Sequence, residues 1–420
     1  MPPAAPTLLA AHPAFARFLV ARFASSLAFQ IVSVAVGWQV YDMTGSAFDL
    51  GMIGLAQFAP MVILTLVVGH AADKFDRRKI VACCLALEAI ATTVLAVASL
   101  TGHADKLLVY VTIIALSAAR AFEAPTLSTL IPAVVTREWI PRATALAASS
   151  NQVAQIAGPA LGGIGYGFGA GGIYLAAAAM HLTALAAIVS LPIRRTPAKR
   201  TPAKRAPTTW RTIFAGLSFI ARRRILLGTL SLDLFAVLLG GATALLPVFA
   251  KDILHAGPWA LGFLRAAPAC GAVLMSLALA RSGGLEGNIG HKLFAAIGMF
   301  GLATVVFGIS TSIPISVAAL VVLGAADAIS VVVRSSLVQL NTPDEMLGRV
   351  SAVNTLFIGT SNQLGEFESG VVAALVGAAP AVVIGGMGTI AIAGIWMWLF
   401  PELRNLKSLH PDEEPVARPA

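Results

Sequence analysis

The sequence predicts an all-α membrane protein with twelve transmembrane helices arranged as two related six-helix halves. Three observations predict it. Of 420 residues, 57% are hydrophobic and only 12% charged, about half the charged share of a soluble domain. A water-soluble chain this apolar would expose large greasy patches, which monomers avoid. The apolar residues also fall into runs of roughly 20, the length that lets a helix cross the hydrocarbon core. Finally, the basic residues that give a net charge of +9 cluster in alternate loops between those runs. That is a pattern of membrane topology rather than of a phosphate-binding groove, so nucleic acid is not an expected partner.

Runs between charged or Gly/Pro-rich breaks place the spans near 15–41, 47–71, 80–101, 107–131, 143–168, 172–192, 225–250, 258–280, 292–311, 314–340, 347–376 and 380–400. Each run is too long and too uniformly apolar for the alternating strands of a barrel. The first run exceeds the apolar core of a cleaved signal and reads as the first anchor. Odd-numbered loops carry only Lys106 and Lys251, whereas the N-tail, even-numbered loops and C-tail hold Arg17, Lys74, Arg77, Arg78, Lys79, Arg137, Arg142, Arg281, Lys292, Arg349 and Arg404. The positive-inside rule then expects both termini in the cytoplasm of a bacterial inner membrane. An even number of spans requires the same.

The expected organisation is a six-helix half over 1–192, a basic cytoplasmic linker over 193–224, a second half over 225–400 and a tail over 401–420. The linker holds ten Lys/Arg and no acid, with TPAKR repeated at 196–205. Proline and like charge keep its first part extended. From Trp210 to Phe219 the pattern predicts a short amphipathic helix on the membrane surface.

The halves resemble each other. Gly54-x-x-Gln57-x-x-Pro60 returns 208 residues later as Gly262-x-x-Arg265-x-x-Pro268. Glu138-x-x-x-Arg142-x-x-Ala145 returns 207 later as Glu345-x-x-x-Arg349-x-x-Ala352, and Gly158 and Gly163 as Gly365 and Gly370. Such a six-plus-six repeat is how many secondary transporters are built, with the substrate between the halves near the midplane.

Several chemistries are not expected. Cys83, Cys84 and Cys270 fall in apolar runs with no CxxC or Cys/His spacing, so neither zinc nor disulfides are indicated. Gly167-x-Gly169-x-x-Gly172 fits a dinucleotide pattern, yet it joins two apolar helices instead of following a strand. A Walker A motif is absent from the sequence. The expectation is no cofactor and no enzyme.

Between the second and third spans the chain reads Gly69-His-Ala-Ala-Asp73-Lys74-Phe-Asp76-Arg77-Arg78-Lys79. This resembles the signature of the major facilitator superfamily, G-x-x-x-D-(R/K)-x-G-R-(R/K), with Asp76 in place of the second glycine. Physically, Gly69 permits close helix approach, while Asp73 can cap a neighbouring helix N-terminus or pair with Arg77. Leu116-x-x-x-Arg120-x-x-Glu123-Ala124 is similar to the family's fourth-helix pattern. Gly158-Pro159-x-x-Gly162-Gly163 is similar to the end of its fifth-helix antiporter motif, where small residues allow close packing and Pro159 bends the helix. Trp38-Gln-Val-Tyr41-x-x-Thr44-Gly45-Ser46 and Ala121-Phe122-x-x-Pro125 look like the enterobactin-exporter and macrolide-efflux group. The resemblance covers roughly residues 15–405 and implies the major facilitator fold and export of a drug- or siderophore-like compound driven by protons. Where that group often carries an acid in the first helix, this chain has Gln30.

An ionisable residue inside a span is costly and marks a functional site by default. The candidates are Arg22, Arg120, Glu123, Asp233, Arg265, Asp327, Arg334, Glu366 and Glu368. Arg120 and Glu123 share a helix face, as do Asp327 and Arg334. Arg120 and Asp327 are 207 apart, so opposite charges stand at equivalent places in the repeat and can be imagined as a pair. Asn151 and Asn362 add amides that bind a ligand or join helices. The expected protein is a proton-coupled exporter of an amphipathic organic molecule, monomeric, with substrate, protons and lipid as its partners. An importer of the same fold and a membrane scaffold without transport are the alternatives.

Overall fold

The computed structural model describes residues 12–192, 210–282, 285 and 287–409, with the side chains of 65–74, 210–213 and 344 outside the description. The chain is all-helical over this range. The helices are α1 (Pro13–Thr44), α2 (Ala47–Lys74), α3 (Arg77–Leu100), α4 (Lys106–Ser128), α5 (Ile140–Tyr166) and α6 (Ala170–Val189). After them come α7 (Trp210–Ala221), α8 (Arg224–Leu239), α9 (Pro258–Arg281), α10 (Ile289–Ile309), α11 (Ile313–Leu340), α12 (Asp344–Val376) and α13 (Ala378–Leu399).

Among the described residues, ten helical stretches are long and apolar enough to cross a membrane, one of them running from Arg224 to Ile253. The other two long helices, α5 and α12, are diluted by polar residues. They carry Asn151, Gln152 and Gln155 in one, and Asn354, Asn362, Gln363, Glu366 and Glu368 in the other.

Local chemistry sets the helix ends. Pro13 stands in the first turn of α1, where its fixed φ suits a helix and its missing N–H costs nothing. The same helix stops at Gly45, whose φ of 61° is left-handed and whose N–H closes on Tyr41 O at 2.8 Å. Asp76 caps α3 by accepting from Arg78 N at 2.9 Å, and Asp105 caps α4 by accepting from Leu108 N at 2.8 Å.

The seventh expected span departs from a simple helix. The sequence places this span near 225–250, but α8 ends at Leu239, and a 3₁₀ turn over Ala242–Leu245, a short helical turn and a π turn over Phe249–Ile253 complete the crossing. Gly240 and Gly241 explain the break: a Cβ on Gly241 would lie 2.5 Å from Gly365 O, so the backbone itself packs there. Pro247 removes a further helical donor. The amphipathic helix is present as α7, and Gly216 brings its backbone against Arg349 and Val353 of α12. The repeat at 196–205 lies outside the described residues.

The chain forms two compact units. The first comprises Met1–Gly45, Ala56–Pro207 and Ala256–Ala266. One apolar cluster in it joins Phe15 and Phe18 of α1 to Val81 and Leu85 of α3, Leu127 and Leu130, Ala143 of α5 and Ile188 of α6. The second unit comprises Ser46–Leu55, Thr208–His255 and Ala267–Ala420. There Leu232, Leu293, Phe294, Val333, Leu337 and Leu403 form the cluster. Side chains such as Ile90, Val94 and Val97 of α3 point outward and are large and apolar, as a lipid-facing surface requires.

Candidate functional site

In the first unit the polar side chains of three helices meet in one network. Arg120 and Glu123 are one turn apart on α4, so they lie on one face. Arg120 Nη1 donates to Glu123 Oε2 at 3.0 Å and to Ser25 Oγ at 3.2 Å, and Nη2 donates to Ser26 Oγ at 3.1 Å. Ser25 in turn donates to Glu123 Oε1 at 2.6 Å, and Ser26 donates to Asn151 Oδ1 of α5 at 2.5 Å. Both carboxylate oxygens of the fully buried Glu123 are therefore satisfied. The Arg120 guanidinium also covers the Phe29 ring at 4.8 Å, a cation–π arrangement. Phe29 belongs to the wall of a small cavity that Ser33, Gln57, Ile113 and Ser117 also line. Arg265 donates to Ser33 Oγ at 3.1 Å.

Arg22 lies within electrostatic range of Arg120 and Glu123, and its buried Nε has no hydrogen-bond partner among the described residues.

In the second unit the ion pair joins Arg334 of α11 to Asp233 of α8, and Ser330 donates to Asp233 Oδ1 at 3.3 Å. This corrects the grouping of Arg334 with Asp327. The two do share α11, yet the counter-charge of Arg334 comes from the neighbouring helix, where Asp233 is only 6% exposed. Asp327 lines a small cavity with Asp233, Ser330 and Phe300. Within the first unit, Glu123 supplies a counter-charge to Arg120. Glu366 packs its Cβ toward Gly54, where an added Cβ would lie 2.8 Å away. Asn362 is exposed.

The loop between α2 and α3 works through its bases. Arg78 Nε donates to Ile188 O at 3.0 Å and Arg77 Nη1 to Thr129 O at 3.4 Å. Arg17 reaches Ser190 O at 2.7 Å. These carbonyls end α6 and α4, where a helix leaves acceptors unfilled and its dipole favours cations. The side chains of Gly69, Asp73 and Lys74 lie outside the described residues. Gly158 and Gly162 set the approach of α5 to α1. A Cβ on Gly158 would sit 2.5 Å from Gln30 Cβ, and one on Gly162 would sit 3.0 Å from Ile31 O. Pro159 remains inside a continuous α5. On the far side of that helix a Gly163 Cβ would lie 2.7 Å from Gly262 Cα.

Sequence reasoning passed over Glu88 and His181. They lie inside the third and sixth runs, where the rule that singled out Arg120 applies equally. Glu88 is 1% and His181 0% exposed, with Glu88 Oε2 and His181 Nε2 3.5 Å apart. Among the described residues, three or more His, Cys, Asp or Glu side chains nowhere gather in a way that could hold a metal ion.

Comparison with known proteins agrees with this architecture. Residues 4–418 match the model of the family described as transmembrane secretion effector. The enterobactin exporter EntS of Citrobacter koseri is 26% identical over 414 residues, 96% of each chain. EntS of Escherichia coli strain K12 is 25% identical over the same length and shares. Among solved structures, the nucleoside transporter NupG aligns with a TM-score of 0.69 at 15% identity, covering 92% of this chain and 99% of its own. A POT family transporter in complex with a thioalcohol-conjugated peptide aligns with a TM-score of 0.69 at 12% identity, covering 93% and 96%. The chain thus belongs to the transmembrane secretion effector family within the major facilitator superfamily (MFS), and is a multi-pass secondary transporter rather than an enzyme.

Proposed function

We propose that this protein exports an amphipathic organic compound, of the siderophore or drug class, across the bacterial inner membrane in exchange for protons. The observation that carries the reading is the buried Arg120–Glu123–Ser25–Ser26–Asn151 network beside the cavity walled by Phe29, Ser33 and Gln57. An aromatic wall with a few convergent polar groups suits a molecule that is apolar over most of its surface. A buried carboxylate held by an arginine can exchange that partner for a proton, and so can make affinity differ between two states. The full-length kinship to enterobactin exporters supports the outward direction.

In this scheme both termini face the cytoplasm, and the halves over 1–192 and 225–400 rock to alternate access. Arg265, Asp233, Asp327, Arg334, Asn362 and Glu366 supply further substrate or proton contacts. Gly69, Asp73, Lys74, Arg77 and Arg78 latch the cytoplasmic loop, while Gly158, Pro159, Gly162 and Gly163 form the close-packed α5 seam. Asp73→Asn then leaves the protein inserted while impairing turnover.

The test uses inverted vesicles and two probes, enterobactin and the amphipathic dye ethidium. An exporter loads them, an importer empties them, and a scaffold moves neither. A protonophore added while ATP remains collapses the loading of a proton-coupled exporter. Flux that persists assigns another energy source.

A further inference from the structure

Glu88 and His181 form a buried acid–base pair that adjoins the Arg120–Glu123 network. They face each other from α3 and α6. Among the described residues, no donated hydrogen reaches either oxygen of Glu88 or Nε2 of His181, although the Glu88 carboxyl also lies within hydrogen-bond reach of the Glu123 carboxyl. A buried polar atom without a partner is expensive. Three of them at one place point to a missing hydrogen.

Thr92 fixes where that hydrogen must go. Its hydroxyl has one hydrogen, which it gives to the backbone carbonyl of Glu88 at 2.7 Å. The same oxygen lies 3.3 Å from His181 Nδ1, where it can then only accept. Nδ1 therefore carries the ring hydrogen, the tautomer being assigned from its partners. The neutral imidazole turns its bare Nε2 lone pair toward Glu88 Oε2. Two acceptors confront each other, and one proton between them removes the conflict.

We propose that Glu88 and His181 form a one-proton site that loads and releases a coupling proton during the transport cycle. On loading, a proton from water adds to Glu88 Oε2, one O–H bond forms, and the new hydroxyl donates to Nε2. The pair goes from one negative charge to none, which a low-dielectric interior favours over an imidazolium–carboxylate pair. On release the O–H bond breaks and the proton returns to water. The charged groups that face the pair are Arg120 and Glu123 of α4, both within electrostatic range of Glu88 and of His181, and the Glu123 carboxyl is close enough to accept a hydrogen bond from a protonated Glu88 as well. Cys84 stands one turn earlier on α3. Loss of the proton places a negative charge beside the Arg120–Glu123 pair, which gives the network a reason to rearrange.

The proposal rests on the proton-coupled reading of transport, but its test needs no substrate. The full chain is placed in lipid nanodiscs and followed by infrared difference spectroscopy on stepwise acidification, in H₂O and D₂O. The expected result is a carboxylic-acid C=O band that grows with acid, moves in D₂O and is lost in Glu88→Gln. In His181→Asn, which exchanges the basic imidazole nitrogen for a shorter and far less basic amide, the band persists with its midpoint moved by about one pH unit or more, a tenfold change in proton affinity. A band unchanged by Glu88→Gln overturns the proposal. So does a Glu88 band that stays constant at every pH, which would mark a permanent hydrogen bond. Should Glu88→Gln not fold, an unmoved midpoint in His181→Asn overturns it alone. Protonophore-resistant flux alongside an intact titrating band would refute the coupling reading and leave the proton site standing.

Discussion

Replacing Arg120 by Met removes the cation that holds the first-unit network while keeping most of its apolar stem. Glu123 loses one of its two donors and retains only Ser25, and Ser26 loses the donor that fixes it toward Asn151. Breaking a buried ion pair by deleting one partner costs about 3–5 kcal/mol, because a charge is left buried and uncompensated. The Arg120 side chain is 26% exposed while Glu123 is fully buried, so solvent already shares part of the cation and the lower end, about 3 kcal/mol, is expected. Glu123→Gln, by contrast, keeps an acceptor for Ser25 and removes the buried charge itself, so its cost should be smaller, about 1–2 kcal/mol. In the double variant no charge is stranded. Contacting residues of one network couple by about 0.5–3 kcal/mol, and the double should recover at least about 1 kcal/mol relative to the sum. Unfolding of the purified chain by SDS in mixed micelles measures all three, with transport followed in parallel. Recovery of stability without recovery of transport is the expected pattern. Strictly additive costs would refute the claim that Arg120, Glu123, Ser25 and Ser26 act as one unit.

Three further outcomes follow from particular contacts. Gly158→Val should sharply reduce the amount of folded protein, since even a Cβ there would sit 2.5 Å from Gln30 Cβ, whereas Gly298→Ala, with nothing within 4 Å, should be neutral; membrane abundance separates them. Asp76→Ala should cost about 1 kcal/mol through the lost cap of α3, and Asp76→Asn much less, by the same unfolding assay. Reporters fused after Lys199 and after Ala420 should read cytoplasmic and one near Gly169 periplasmic, and a periplasmic reading after Lys199 would overturn the expected topology.

The sequence was most legible where one strong physical rule acts alone. Lipid demands long apolar helices, so the spans could be read from composition, and the observed ends differ from the expected ones by a few residues. Legibility failed where two rules compete. The run over 225–250 is apolar enough for one helix, but Gly240, Gly241 and Pro247 break it, a cue written in the sequence and outweighed by hydropathy. Asp76 looked like a departure from a glycine pattern, although an Asp just before a helical run is a capping position in its own right. Candidate charges were found as single residues. Their partners were not, because Arg334 could pair along its own helix or across to another, and only the packing of α8 beside α11 selects Asp233. Glu88 was passed over although it obeys the rule that selected Glu123. His181 escaped because a lone histidine in an apolar run gives no spacing signal, and its meaning depends on facing Glu88 from another helix.

The central claim, proton-coupled export, is tested most directly by imposing a pH gradient on inverted vesicles that contain only this chain, with the lumen acidic and no ATP present. The cytoplasmic face is then outward, and protons leaving the lumen should drive enterobactin or ethidium inward against its gradient. The predicted result is accumulation that disappears when the pH gradient is collapsed and when Glu123 is replaced by Gln. Accumulation that is indifferent to the pH gradient, or net release of preloaded probe under the same gradient, would contradict the claim.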